Sequence, residues 1–458
     1  MKANNGAERN LSGYLELIQS NPNFRYLWLG QIISLLGDWF NLIASASLVA
    51  TLTQSGLAVG GLFVVRMLAP FLVSPVAGVA ADRYNRKHLL IAADLSRALT
   101  VIGFLFVREP QHVWLLYALT ALQLGLSGFF FPTRNAILPD IVSRRELGAA
   151  NALSSTTWSV MLAFGAALSG VVAGEWGVYP SFVVDASTFV FSALLISRIN
   201  YRRVEADEGA DRSVAAALRE YVGGLRYIWR YRDIMVIAMQ KAAVSLVVSG
   251  AFQVIQVTLA ERIFVIGEAG GTSLGIMYAA VGVGTGLGPI LARLFTRDRG
   301  RALRVAIAIS YAVTAAGLAI MAPLSSFPVV LLGILLRGVG NGVSWVFSTQ
   351  LLLQILPDRV RGRVFSTEFA MFTLTNAISS AGAGLVLDSP QVDVSLMLWW
   401  MAALTLLPGL LWVAWLIFGE HATPEPVGEP TGEPRDQAPP ESRQAEGSFT
   451  RGSRIQRH

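Results

Sequence analysis

From Gly56 to Ala80 the chain is almost wholly apolar apart from Arg66, and from Leu89 to Val107 it is nearly as apolar again. Between the two stands one compact charged turn, Gly78-Val-Ala-Ala-Asp82-Arg83-Tyr-Asn-Arg86-Lys87. Each flank is long enough to cross a bilayer, which takes about 20 mostly apolar residues. A soluble fold seldom needs so short a polar break between two such runs, whereas a chain that re-enters a membrane needs one at every turn. The pattern recurs along the sequence. Twelve candidate spans fall near 26–53, 57–80, 89–107, 112–133, 150–174, 179–198, 233–260, 273–295, 302–322, 328–350, 364–387 and 394–418, and the first and seventh are overlong enough to include interfacial turns.

Composition agrees. Hydrophobic residues make up 53% of the chain and charged residues 14%, against roughly 25% charged in ordinary globular domains, so the polar surface needed for solubility is missing. There is no cysteine, which excludes disulfides and thiolate metal sites, and His88, His112, His421 and His458 are scattered without metal-ligand spacing. The stretch from Met1 to Asn23 is largely polar, so no cleavable leader is expected. A net charge of +6 raises the question of nucleic acid, but the distribution answers it. With loops assigned alternately from a cytoplasmic N-terminus, 30 of the 36 Lys and Arg fall on the cytoplasmic side. Arg108 and Arg262 lie outside, and Arg66, Arg97, Lys241 and Arg337 fall within spans. This asymmetry follows the positive-inside rule and predicts a multi-pass protein of the cell (inner) membrane with both termini in the cytoplasm and no nucleic-acid partner.

The chain reads as a six-span unit over 1–199, a cytoplasmic connector over 200–232, a second six-span unit over 233–418 and a disordered cytoplasmic tail over 419–458, rich in Pro, Glu, Gly and Arg. Within the connector, Val214 to Trp229 carries apolar residues at helical spacing among Arg219, Glu220 and Arg226, which predicts an amphipathic helix on the membrane face; Glu205 to Arg212 is acidic and is expected to be mobile. Ile137-Leu-Pro-Asp140 after the fourth span returns as Ile355-Leu-Pro-Asp358 after the tenth, at an offset of 218 residues and the same place in each unit. Parallel repeats of this kind put a substrate cavity between the halves near the bilayer midplane.

Several stretches resemble one family. They are the Gly78–Lys87 turn, Phe130-Phe-Pro132-Thr-Arg134-Asn-Ala-Ile-Leu-Pro139-Asp-Ile-Val continuing to Leu147-Gly-Ala-Ala-Asn151, Leu36-Gly-Asp38-Trp, Asp185-Ala-Ser-Thr-Phe, and Gln354-Ile-Leu-Pro-Asp-Arg-Val-Arg361-Gly-Arg363-Val. Together, over roughly residues 20–418, they resemble the major facilitator superfamily, and within it the drug- and siderophore-exporter group that includes macrolide efflux proteins and the enterobactin exporter. The resemblance implies an all-α integral membrane fold of twelve transmembrane helices in two pseudo-symmetric six-helix bundles, working by alternating access. It also implies that Asp82 faces the start of span eleven, where the helix N-terminus at Arg361-Gly362-Arg363 would attract it. On that basis Gly78, Asp82, Arg83, Arg86, Lys87, Arg361 and Arg363 form a cytoplasmic gate; the alternative is that the basic cluster serves only topology. One departure stands out: drug antiporters of the family carry Gly-Pro in span five, where this chain reads Phe164-Gly165-Ala166, so no kink is expected there.

Charges inside spans are costly and mark functional candidates. Asp38 and Arg66 both lie near the midplane on consecutive spans and are expected to pair, as a proton-coupling site or as a permanent structural ion pair. Asp94 and Arg97, at i and i+3, share a face of span three and read as a network holding one conformation or as part of the coupling site. Asp185 in span six has no evident partner and reads as a titrating site or as a hydrogen-bonded cap in the extracellular vestibule. In the second half, Arg337 lies in the glycine-rich Leu336–Gly342 stretch and is a cavity candidate, while Lys241 and Glu368 sit nearer the cytoplasmic ends. No Gly-x-x-x-x-Gly-Lys-Ser/Thr is present, and Gly282-Val-Gly284-Thr-Gly286 inside span eight reads as helix packing. With no nucleophile–base or metal cluster in view, the expectation is not an enzyme but a cofactor-free, monomeric secondary transporter. It would export an amphipathic drug- or siderophore-like molecule, with a proton gradient as its energy source and membrane lipid around it. An uptake carrier and a non-transporting sensor or scaffold remain the alternatives.

Overall fold

In hydrocarbon every backbone N–H and C=O must be satisfied within its own segment, so long apolar runs become helices. The computed structural model describes residues 15–143, 146–201, 214–296, 299–389 and 391–419, and the regular structure among these residues is all helical. The first six membrane-length helices are α1 (Pro22–Thr53), α2 (Gly56–Arg83), α3 (Arg86–Phe106), α4 (Pro110–Ile141), α5 (Leu147–Trp176) and α6 (Val178–Ser197). The connector helix α7 (Val214–Arg230) follows. The second six are α8 (Arg232–Ile263), α9 (Glu268–Thr296), α10 (Gly300–Met321), α11 (Phe327–Ile355), α12 (Asp358–Leu387) and α13 (Val394–Phe418). The twelve spans read from the sequence are these helices, most lengthened by a turn or less. The segment expected to be mobile, 205–212, and the tail from 420 onward lie outside the described residues.

Helix starts are written locally. Asn21, Ser55, Asn85 and Asp393 each accept a hydrogen bond from the backbone N–H three residues on, which satisfies a donor the helix leaves free. Three details depart from the sequence reading. Helix α4 runs on past the expected end at residue 133, so Arg134, assigned to a loop, lies inside the helix, buried and donating to Ser154 and, at 3.0 Å, to Asn135. The repeated tetrapeptide is helical in its first copy, whereas the second spans the break between α11 and α12. In α5, where no kink was expected, Met161–Gly165 forms a π-helical turn, which interrupts the regular ladder without proline. The Trp39 indole rests there, 2.8 Å from where a Gly165 Cβ would stand.

The two sets of six meet through α2 on α12 and α5 on α9, a pairing that exchanges equivalent helices of the two sets. Small residues make both seams possible: a Cβ on Gly170 would stand 2.5 Å from the Cα of Gly275. The main apolar core runs continuously through both sets, but the terminus-side end of the first set has a separate core of its own around Phe24, Leu27, Leu90, Ile137 and Ile196. On that side α7 packs on α12 and touches α2.

At the far end a carboxylate of the second set caps a helix of the first. Asp388, just past α12, accepts from Ser55 Oγ at 2.6 Å, Gly56 N at 2.5 Å and Leu57 N at 3.0 Å. Beside it Arg262 donates to the Gln54 carbonyl, and Gln54 donates to Glu261 at 3.2 Å. Partial burial works to raise the Asp388 carboxyl, but the Ser55 hydroxyl, the Leu57 and Gly56 amides and nearby Arg262 outweigh it and hold the carboxyl below its ordinary value. A depressed carboxyl keeps its contribution above the unfolded value, about 3.9, and loses it only as the pH falls further. The cap should therefore persist from pH 5 to 8. Asp388→Ala should open this end: labels on cysteines placed at Thr53 and Ser389 of this cysteine-free chain should move apart, with no pH dependence across that range in the parent.

Candidate functional site

The centre of the first six helices is built on Arg97. Its guanidinium, 1% exposed, pairs with Asp38 of α1, approaches Asp94 at 3.5 Å, and donates to Ser34 at 3.2 Å. It also lies 3.9 Å from the centroid of the Phe189 ring on α6. Asp94 in turn accepts from Ser192 of α6 at 2.6 Å. One planar, five-donor cation thus ties α1, α3 and α6 together, in a geometry a lysine ammonium cannot reproduce. Asp38 is 27% exposed, so one end of this otherwise sealed network opens outward.

This corrects the expected pairing. Asp38 does pair, but with Arg97 rather than Arg66. Arg66 lies within electrostatic reach of Asp38 yet donates to Asn41, at 3.4 Å. Counting residues brought Asp38 and Arg66 within electrostatic reach of each other. It did not give the helix rotation that aims Arg66 along α1 by one turn. Asp185 is fully buried, accepts from Gln123 at 3.4 Å, and places its second oxygen against Gly37, 2.5 Å from where a Cβ would be. Asp185 also feels the charge of Asp38, Arg97 and Arg66. Three carboxylates therefore share two guanidiniums.

The second six hold their own buried pair. Lys241 of α8 meets Glu368 of α12 at 3.0 Å, donates to Thr349 of α11 at 2.7 Å, and sits 4.5 Å from the Trp345 centroid. Arg337 of α11 is buried and stacked 3.9 Å from the Phe252 centroid. Ser34, Asn41, Gln123, Ser192, Thr349 and Tyr278 were missed in the sequence. Their one signal was polarity inside an apolar run, which a helix can also satisfy alone.

Of the loop motif, the side chains of Gly78, Asp82 and Arg83 lie outside the described residues. Arg86 turns into its own half: it pairs with Asp140 at 2.6 Å and donates to the Ala136 carbonyl at 3.1 Å, and Tyr201 donates to the same Asp140 oxygen at 3.1 Å. Lys87 donates to the Ile199 carbonyl at 2.7 Å. Arg361 reaches back to the Leu356 carbonyl at 3.4 Å, and Arg363 runs beside Gly223 of the connector helix. The first copy of the repeated tetrapeptide thus anchors the charged turn through its aspartate, Asp140. Among the described residues there is no cluster of His, Cys, Asp or Glu that could hold a metal ion.

Residues 27–367 match the family described as Major Facilitator Superfamily. The chain is 26% identical over 86% of its length, and 93% of the relative's, to the uncharacterised MFS-type transporter YfiS of Bacillus subtilis. It is 26% identical over 71% of its length, and 78% of the relative's, to the multidrug efflux pump Tap of Mycolicibacterium fortuitum. A further match at 26% identity, to the putative bacilysin exporter BacE of Bacillus subtilis, spans 46% of this chain and 52% of that one. Among solved structures it is similar in fold to the nucleoside transporter NupG (TM-score 0.68, 11% identity, 86% and 98% coverage). A bacterial homologue of the iron transporter ferroportin in an inward-facing state gives TM-score 0.66 at 15% identity, with 86% and 98% coverage.

Removing Arg97 strands two carboxylates in a low-dielectric site, a loss of about 3–5 kcal/mol. Arg97→Gln should accordingly lower the thermal-unfolding midpoint in detergent sharply, Arg97→Lys should recover only part of it, and an unchanged midpoint in Arg97→Gln would mean the hub does not exist.

Proposed function

From the premise that this chain belongs to the Major Facilitator Superfamily, and is therefore a transporter of small molecules, we propose that it exports an amphipathic drug- or siderophore-like compound in exchange for protons. The terminus-bearing side would face the cytoplasm of the cell. The export direction is supported by the names of relatives, an efflux pump and a putative exporter of bacilysin. The cytoplasmic placement of the termini is supported by the one-sided distribution of Lys and Arg.

The observation that carries the coupling is the imbalance at the first centre. Among the described residues Asp38, Asp94 and Asp185 face two cations, Arg66 and Arg97, so one proton makes the cluster neutral. In low dielectric a like-charged neighbour disfavours a second or third ionised carboxylate. Asp38 is the acceptor of choice because it alone of the three is partly exposed. A proton on Asp38 weakens its grip on Arg97, which then falls to Asp94 and Ser34. Because Arg97 joins α1 to α3 and α6, that shift alters how α1 sits against its neighbours. Helix α1 also carries Trp39 to the second six, where its ring meets Tyr278 of α9 at 5.5 Å, so a movement begun at Asp38 has a direct path across the seam.

The gate assigned to Gly78, Asp82, Arg83, Arg86, Lys87, Arg361 and Arg363 would close the cytoplasmic side, with Arg86 and Lys87 holding the turn to the first bundle and leaving Asp82 for the second. Alternating access then consists of breaking the Asp388 cap at one end while the gate forms at the other.

In proteoliposomes with an imposed pH gradient, wild-type protein challenged with a dye and siderophore panel should release protons with substrate. Asp38→Asn should abolish that coupling while the protein stays folded in the membrane. Coupling that survives in Asp38→Asn would move the proton site to Asp94 or Asp185, and a panel that moves no protons at all would remove the antiport reading.

A further inference from the structure

A guanidinium in a membrane interior needs an anion or a full set of acceptors. Arg97 has its aspartates, and Lys241 has Glu368. Arg337 has neither. It is 4% exposed, and among the described residues no carboxylate pairs with it and its Nε lacks a hydrogen-bond partner. Its stacking on Phe252 offsets only part of what an uncompensated buried charge costs.

The phenol of Tyr278 is within electrostatic reach of both Arg337 and Arg66, and its buried hydroxyl has no hydrogen-bond partner among the described residues. A neutral phenol offers one proton and cannot balance the Arg337 charge, whereas Arg66 already faces Asp38 and Asp185. Arg66, for its part, makes a single long bond to Asn41.

These groups also share a level. Arg66 follows Gly56, the first residue of α2, by ten residues; Arg337 follows Phe327, the first of α11, by ten; Tyr278 follows Gly271 by seven. All three helices begin on the side away from the termini, so at 1.5 Å per residue the groups lie roughly 10–15 Å in, near the middle of a core about 30 Å thick. One cation comes from the first six helices and one from the second, with Trp39 and Phe252 supplying aromatic faces. Asp38 and Asp185 of the first centre act on Arg66, and among the described residues no carboxylate pairs with Arg337.

We propose that Arg337 and Tyr278, faced by Arg66 across the seam, form the seat for the anionic group of the transported molecule, a carboxylate, sulfonate or phosphate joined to an aromatic or other apolar body. The assignment rests on the transporter reading and narrows its substrate class. The anion supplies the counter-charge that Arg337 lacks, accepts from the Tyr278 hydroxyl, and is kept from Asp38 and Asp185 by their like charge. Because its two cations belong to different halves, the bound anion draws them together and favours the state in which the seam is closed.

The test is binding to purified full-length protein in neutral detergent without anionic lipid, at constant ionic strength, read as a saturable thermal shift. Phenyl phosphate and benzoate should stabilise wild type, while benzyl alcohol and benzylamine should not. Arg337→Gln should weaken the anion response about tenfold or more, the scale of a charge-assisted hydrogen bond. Tyr278→Phe should weaken it less, and Arg337→Lys should keep part of it. If Arg337→Gln does not fold, the Lys and Phe variants decide. Equal responses to benzoate and benzylamine, no response to either anion, or anion binding unchanged in the Arg337 and Tyr278 variants would each overturn the seat. Anion binding that fails while Asp38→Asn still abolishes proton-coupled efflux sinks the seat alone. Intact binding with no proton-coupled efflux sinks the antiport reading alone.

Discussion

In a medium that cannot solvate charge, each ionised side chain has to carry its own compensation into the fold, and the arrangement of this protein's interior follows from how three helices supply it to Arg97. The guanidinium is sealed at 1% exposure, yet it is surrounded by Asp38, Asp94, Ser34 and the Phe189 ring. Those partners come from α1, α3 and α6, so satisfying one charge fixes the mutual rotation of three helices. Ser192 extends the same network by satisfying Asp94. Apolar packing between transmembrane helices gains little over packing against lipid, which leaves such polar contacts to determine which rotation is adopted.

The second constraint is close approach at the seams. Helices α2 with α12, and α5 with α9, meet where small residues leave room for backbone against backbone; Gly60 lies against the Ser380 carbonyl and Gly170 against Gly275. The π turn at Met161–Gly165 accommodates Trp39 at the second seam, so this chain has an irregularity in α5 although Ala166 stands where the resemblance led one to expect proline. At the far end the seam is closed by a helix cap shared between halves, Asp388 on Ser55, Gly56 and Leu57. A cap of a few hydrogen bonds in a water-exposed place is weak enough to be made and broken repeatedly, which a shared apolar core is not.

Charge is also divided between the halves in a way that suits exchange. The first half holds an excess of carboxylate at the midplane, reachable at Asp38. The second holds an excess of guanidinium at Arg337, with Tyr278 between them. A proton on one side and an anion on the other would each neutralise what its own half lacks. The Trp39–Tyr278 contact joins the two places through a single residue step from Asp38.

Much of this was present in the linear chain. The twelve apolar runs, the amphipathic Val214–Trp229 stretch and the one-sided Lys and Arg set the number of helices, the connector and the expected sidedness, because span length and interfacial charge are sums over neighbouring residues. The height of Asp38 and Arg66 along their helices could likewise be counted, since rise per residue is constant. What only the tertiary structure decided is azimuth. Successive residues turn about 100° around a helix, and the small rotations and tilts that aim a side chain are set by packing against helices distant in sequence. That is why Asp38 met Arg97 and not Arg66, why Arg86 turned to Asp140, and why Arg337 was left without a carboxylate: sequence position gives a charge its height in the membrane, and only the packed neighbours give it a partner.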